Sequence, residues 1–140
     1  MTEAEYIALL KDDEGYRPYV YKDSLGVPTC GWGHALHVGS PVPEKVCQLF
    51  LEEDLARVDR DYKTLAINLD PVRAAVVRCM LFQLGLGGVK KFKRFLHSVR
   101  TGDYRAASAH MLDSLWAKQT PRRAWRLADM MLTGIYGGGQ

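Results

Sequence analysis

Residues 14–34, EGYRPYVYKDSLGVPTCGWGH, restrict the fold more than any other part of the chain. They form a short β-patterned island in a sequence whose other apolar residues recur at helical spacing. Tyr19-Val20-Tyr21 and Thr29-Cys30-Gly31-Trp32 are strand-like, and Asp23-Ser24-Leu25-Gly26 between them has the residues of a hairpin turn. Gly31 and Gly33 flank Trp32 and weaken a strand for no packing gain, which marks a close approach of backbone or ligand.

Helices are expected on both sides of this small sheet. Thr2 and Glu5 have the spacing of a capping box, Ala4, Ile7, Leu9 and Leu10 give the following helix an apolar side, and Gly15 stops it, which leaves Glu14 at a helix end. After a loop at 39–43, Val46, Leu49, Phe50, Leu55, Val58 and Tyr62 fit a longer helix ending near Leu65, able to bridge two lobes. Asp70-Pro71 is an N-cap with proline at the first helical position. It opens a helix whose Val72, Ala75, Val76, Cys79, Met80 and Phe82 are apolar on most sides, so that helix is expected to be buried and to end at Gly85, Gly87 and Gly88. Further helices carry Phe92, Phe95, Leu96 and Val99, then Ala106, Ala107, Met111 and Leu115 after Gly102-Asp103, and a last one is capped by Thr120-Pro121. The expected fold is α+β: a small β-hairpin lobe at about 15–40 and a larger helical part from 1–14 and 44–136, joined by the long helix with a cleft between them. Residues 1–136 then make one domain, and 137–140, Gly-Gly-Gly-Gln, a flexible tail.

A chain of 140 residues fits one compact domain. No unbroken apolar stretch approaches the roughly 18 residues of a membrane span. The amino end is acidic rather than a basic leader, so neither export nor stable membrane insertion is expected. Cys30, Cys47 and Cys79 are widely spaced and form no CxxC pair, which argues against a disulfide framework and against zinc. Nothing calls for a metal, a nucleotide or an organic cofactor. The formal charge of +3 is unevenly spread, with Lys90, Lys91, Lys93, Arg94, Arg100, Arg105, Arg122, Arg123 and Arg126 all in the second half. Such a surface attracts anionic partners in general. It carries no nucleic-acid reading motif, so nucleic acid is not an expected partner.

Glu14 and Asp23 are the two acids that matter. A carboxyl at a helix end and a second on a following strand supply what glycosidic cleavage needs, one to protonate the leaving oxygen and one to direct water or stabilise the cation. Taken alone, each has a plainer reading: a solvated helix-end Glu, a hairpin Asp bonding to its own backbone. Partial burial of Glu14 at a lobe junction would raise its pKa and keep it a proton donor. Thr29, by default a strand filler, lies on the strand paired with that of Asp23, where its hydroxyl can hold a water. His34 is by default a hydrogen-bonded structural histidine.

In order and spacing, Glu14-Gly15, Tyr21, Asp23, Gly26, Thr29, Gly31, Gly33 and His34 resemble the catalytic signature of the phage-type lysozymes, the endolysin muramidases. Leu51-Glu52-Glu53-Asp54-Leu55 resembles the start of that family's interdomain helix, residues 73–88 its buried central helix, and WAKQTPRR at 116–123 its late substrate-side segment. The resemblance implies a lysozyme-like fold and hydrolysis of the β-1,4 bond between N-acetylmuramic acid and N-acetylglucosamine in bacterial peptidoglycan, through inversion. By position, Glu14 is the general acid, Asp23 the carboxylate that activates water or stabilises the oxocarbenium-like transition state, and Thr29 the residue that positions the water. His34 is implied to pair with Asp54 as a bridge between lobes, Arg123 to lie near the Glu14 carboxylate, and Gln83 and Trp116 to line the cleft.

The chain departs from the pattern between His34 and the long helix, where longer members carry an extra strand and helix. A lytic transglycosylase would need only one Glu, which Asp23 with Thr29 argues against, and a wall-binding module without turnover would not need this set intact. A monomer is expected, dependent on a holin-like protein for access to the wall. Its place is the host cytoplasm until release, or the virion.

Overall fold

The computed structural model describes residues 1–137; Gly138, Gly139 and Gln140, most of the expected tail, lie outside the described residues. The chain divides into two compact units, Met1–Glu44 and one that starts at Lys45.

The first unit opens with α1 (Glu3–Glu14), started by the full capping box: the Glu5 amide donates to the Thr2 hydroxyl and the Thr2 amide to the Glu5 carboxylate, at 3.2 and 2.8 Å. Gly15 closes it at φ +70, with its N–H on the Lys11 carbonyl at 2.9 Å. An antiparallel sheet follows, β1 (Arg17–Lys22), β2 (Pro28–Gly31) and β3 (His34–Ala35), in the order β1-β2-β3. Tyr21 pairs with Thr29 and Arg17 with Gly31, so β1 spends two more residues than β2 between those pairs. Pro18, with no N–H to donate to the ladder, sits in that irregular stretch. The third strand was not legible in the sequence because two residues carry no period. Within this unit α1 buries none of its residues, so the apolar side formed by Ile7, Leu9 and Leu10 finds no cover there.

The second unit is helical: α2 (Glu44–Thr64), α3 (Pro71–Lys90), α4 (Lys93–Arg100), α5 (Tyr104–Leu112), α6 (Leu115–Gln119) and α7 (Pro121–Thr133). Its core gathers Val58 of α2 and Leu65 beyond it, Val76, Val77, Met80 and Leu81 of α3, Phe95 and Val99 of α4, Met111 of α5, and Leu127 and Met131 of α7. The last two turns of α2 reach this core, while Leu49, Phe50 and Leu55 near its start are exposed. By length and composition α3 alone among the described helices is apolar enough to cross a membrane. Here Val76, Val77, Met80 and Leu81 are all fully buried against the neighbouring helices.

Three expectations are corrected. Gly85 leaves the helical path as expected, at φ +73 and ψ +169, but helical structure resumes beyond it to Lys90. A single residue in that region kinks the chain, while Gly87 and Gly88 stay within the helix. The helix expected to run through Leu115 stops at Leu112, because Ser114 starts α6: its hydroxyl accepts from the Ala117 amide at 3.1 Å and donates to the Met111 carbonyl at 2.7 Å. Likewise Thr120 does not cap α7 through its side chain, which donates instead to the Trp116 carbonyl at 2.9 Å.

Asp70 caps α3 as expected, its carboxylate accepting from the Arg73 amide at 3.2 Å and from the Arg73 guanidinium at 3.1 Å. Burial pushes its pKa up, but the two Arg73 hydrogen bonds and the guanidinium charge outweigh this and hold it below the ordinary carboxylate value. A carboxyl depressed in the folded state stabilises the protein above its unfolded pKa, and that contribution disappears as pH falls through the folded value. Urea melts between pH 7 and pH 2 should therefore show an acid limb beginning below about pH 4, and Asp70→Asn should flatten it. Parallel acid limbs for the two proteins would contradict this.

Candidate active site

The first unit brings Glu14, Asp23, Thr29 and His34 onto adjoining elements. Glu14 is the last residue of α1, and its carboxylate lies directly against the backbone of Gly33. A Cβ added at Gly33 would stand 2.9 Å from the Glu14 carboxyl carbon and closer still to one of its oxygens. Gly33 also holds φ +70, a conformation that side chains resist. The glycine that weakens the strand is thus the seat of the acid. Gly31, at φ +64 with open space around it, serves the backbone alone.

This contrast gives a paired prediction. Gly33→Ala and Gly31→Ala should each cost about 1–2 kcal/mol of stability through the positive φ. Only Gly33→Ala displaces Glu14, so only it should lower lytic activity by about 100-fold, the scale expected for a misplaced catalytic group. Equal activity of the two variants in a turbidity assay would show that the Gly33 contact does not position Glu14.

Asp23 follows the last residue of β1 and is held by its own turn. Its Oδ1 accepts from the amides of Leu25 and Val27, both at 2.8 Å, and its amide donates to the Val27 carbonyl at 2.9 Å. Its Oδ2 takes no hydrogen bond from the described residues. Thr29, one residue into β2, is 3 % exposed and donates its hydroxyl hydrogen to the same Val27 carbonyl at 2.9 Å. One residue, Val27, therefore anchors both side chains through its two backbone groups. With its proton committed, the Thr29 oxygen faces any further partner as an acceptor.

Glu14 is exposed, so the partial burial expected for it is not supplied by its own unit. Its surroundings are a depression of about 320 Å³ lined by Ile7, Leu10, Lys11, Glu14 and Trp32. Trp32 stacks on Tyr16 with ring centroids 4.6 Å apart, and the Lys11 ammonium lies 4.6 Å from the Trp32 centroid. Sequence reasoning passed over Lys11 and Tyr16. Their signal was available, since Lys11 stands three residues before Glu14 on the same helix face.

His34 is exposed and pairs through its backbone with Cys30, whose thiol is free and half-buried; Cys47 and Cys79 are free and exposed. Its implied partner Asp54 belongs to the second unit, where its carboxylate meets Arg57 at 3.4 Å. Gln83 and Trp116, on α3 and α6, are brought together: the indole N–H donates to the Gln83 side-chain oxygen at 2.9 Å, and Trp116 is 4 % exposed. The indole donor is thereby used, and the Gln83 amide group is the free polar end of the pair. Arg123 lies exposed in the first turn of α7, at the rim of a depression it shares with Thr120, Pro121, Arg122 and Arg126.

A first unit of one helix and a small antiparallel sheet, which carries Glu14, Asp23 and Thr29, and a second unit of helices give an α+β chain of the lysozyme type. Residues 11–128 match the Phage lysozyme family, and the chain belongs to that family. It is thus a lysozyme-family glycoside hydrolase, and the family implies peptidoglycan as substrate. The chain is 35% identical to the pre-baseplate central spike protein Gp5 of Enterobacteria phage T4, over 90% of its own length but only 27% of the spike protein's. It is 27% identical to probable T4-type lysozyme 1 of Dictyostelium discoideum, covering 90% of this chain and 92% of that one. With the endolysin of Acyrthosiphon pisum secondary endosymbiont phage 1 it shares 28% identity over 80% of this chain and 77% of the endolysin. The first two matches run over 158 and 157 residues, more than the whole of this chain, so those relatives carry residues that it lacks.

Proposed function

We propose that the protein is a muramidase that cleaves the β-1,4 bond between N-acetylmuramic acid and N-acetylglucosamine in peptidoglycan and thereby lyses bacterial cell walls. The observation that carries this reading is the shared Val27 anchor of Asp23 and Thr29 in the same small unit as Glu14. Glu14 protonates the leaving glycosidic oxygen. A water donates one hydrogen to the Thr29 oxygen and the other to the free Oδ2 of Asp23, which turns its lone pair toward the anomeric carbon while Asp23 takes up the proton. Attack by water on the face opposite the leaving group inverts the anomeric centre.

The anomer of the new reducing end tests this directly. Proton NMR within the first minutes of digestion should show the α form before mutarotation, whereas the β form would point to a covalent intermediate and assign Asp23 or another group as nucleophile. Arg123 and Gln83 are the supporting substrate groups, and Trp116 holds the Gln83 side chain in place. The basic second half suits an anionic wall and should make lysis salt-sensitive.

Two settings are open to such an enzyme. Release from the host cytoplasm through a holin-like partner is favoured by the endolysin relative. A virion-borne wall-piercing role is favoured by the spike protein, a much longer relative. Detection of the chain in purified virions by mass spectrometry decides between them.

A further inference from the structure

Trp32 touches the chain on both sides of the residue read as the general acid. Its ring stacks on Tyr16, two residues after Glu14, with centroids 4.6 Å apart and planes at 30°, and it takes the ammonium of Lys11, three residues before Glu14, at 4.6 Å from its centroid. Trp32 also directly precedes Gly33, whose backbone lies against the Glu14 carboxylate. One indole therefore ties the end of α1 to the turn between β2 and β3 at the point where the acid is seated. Gly33 has no side chain with which to do so.

Lys11 makes this more than a brace. It lines the same depression as Glu14 and stands about one turn before it on α1, a spacing at which lysine and glutamate ordinarily pair. Yet Glu14 is in no ion pair with the described residues, and the ammonium lies on the indole instead. Glu14 also ends α1, where the helix dipole opposes a negative charge. The other titratable groups close to it in the first unit do not take the place of Lys11. Asp12 and Asp13 are acids, His34 follows Gly33 on the sheet, and the Arg17 guanidinium of β1 is stacked on Tyr21 at 4.2 Å. An ammonium drawn onto the carboxylate would favour its ionised form, and an ionised Glu14 has no proton to give.

We propose that Trp32 is a positioning residue for the general acid: it clamps Glu14 onto Gly33 and holds the Lys11 ammonium away from the carboxylate, so that Glu14 keeps the proton it donates. The inference rests on the reading of Glu14 as that acid, and Trp32 acts through Glu14 rather than on the sugar.

The test is the pH dependence of kcat/KM on soluble peptidoglycan for the parent chain, Trp32→Leu, Trp32→Phe and Trp32→Leu combined with Lys11→Met, with Glu14→Gln beside them. Because Glu14 acts only while protonated, its loss of the proton sets the alkaline limb. In Trp32→Leu the freed ammonium should move that limb about one pH unit lower, which above the limb is about tenfold in rate, while the acid limb stays in place. Adding Lys11→Met should return the limb to the parent position. Trp32→Phe, which keeps an aromatic face with a weaker hold on a cation, should fall between. A merely structural Trp32 would lower the whole profile and the Tm without moving either limb. Unmoved limbs in Trp32→Leu, or a shift that survives removal of the Lys11 ammonium, would overturn the proposal; if Trp32→Leu does not fold, Trp32→Phe with and without Lys11→Met decides in the same way. Glu14→Gln keeps the two questions apart. Parent-like lysis by that variant removes the acid assignment itself, whereas its inactivity together with unmoved limbs removes only the role of Trp32.

Discussion

Glu14→Gln should fold as the parent does and lose about three orders of magnitude of lytic activity. The substitution keeps size and hydrogen-bonding shape but removes the proton that the leaving oxygen must receive, and general acid catalysis is worth roughly 10²–10⁴ in rate. Glu14 is exposed at a helix end and takes no hydrogen bond from the described residues, so its amide analogue breaks nothing in the fold. The expected signature is an unchanged Tm with binding to the wall retained and turnover gone. A Tm drop of several degrees alongside the loss of lysis would instead make Glu14 a structural group.

Arg73→Ala should destabilise the helical unit by about 3 kcal/mol. Its guanidinium donates to the carbonyls of Met131 and Leu132, at 2.7 and 3.0 Å, and to Asp70 at 3.1 Å, and it lies 3.8 Å from the centroid of the Tyr104 ring. One side chain therefore ties the start of α3 to the end of α7 and the start of α5. The two carbonyls belong to the last turn of α7, where the helix leaves acceptors unmatched, and their hydrogen bonds are charge-assisted. Gly134, which ends α7 at φ +70, packs so closely that an added Cβ would stand 2.9 Å from Arg73 Nη1. Truncation opens a hole under that turn, strands the acceptors and removes the stacked cation, each worth roughly 1 kcal/mol. Arg73→Lys should recover little, because an ammonium cannot reach three acceptors in one plane while stacking on the ring. Urea melts of the three proteins measure this, and a midpoint unchanged in Arg73→Ala would refute the clamp.

What could be read from sequence was local. The Thr2–Glu5 box, the Asp70-Pro71 start of α3 and the Asp23 turn each involve partners within four residues, and all three form as expected. The family signature pointed to Glu14, Asp23 and Thr29, which fall on adjoining elements of one unit, and the glycine argument anticipated the close approach at Gly33. The Arg73 clamp joins residues 58 and 59 positions apart, which no local pattern encodes. Strand β3 and helix α6, of two and five residues, are too short for either period to register. The break at Gly85 was legible, but that Gly87 and Gly88 stay helical was not, because the three glycines differ in backbone angles, which composition does not reveal. The Trp32–Tyr16 stack beside Glu14 depends on how the sheet folds back on α1, a tertiary fact.

The most direct test is digestion of purified peptidoglycan by the parent chain and by Glu14→Gln, with the new ends identified by mass spectrometry. The account predicts fragments ending in reducing N-acetylmuramic acid from the parent and almost none from the variant. Anhydro-muramic ends would make the enzyme a lytic transglycosylase, and reducing ends produced equally by both proteins would contradict the role assigned to Glu14.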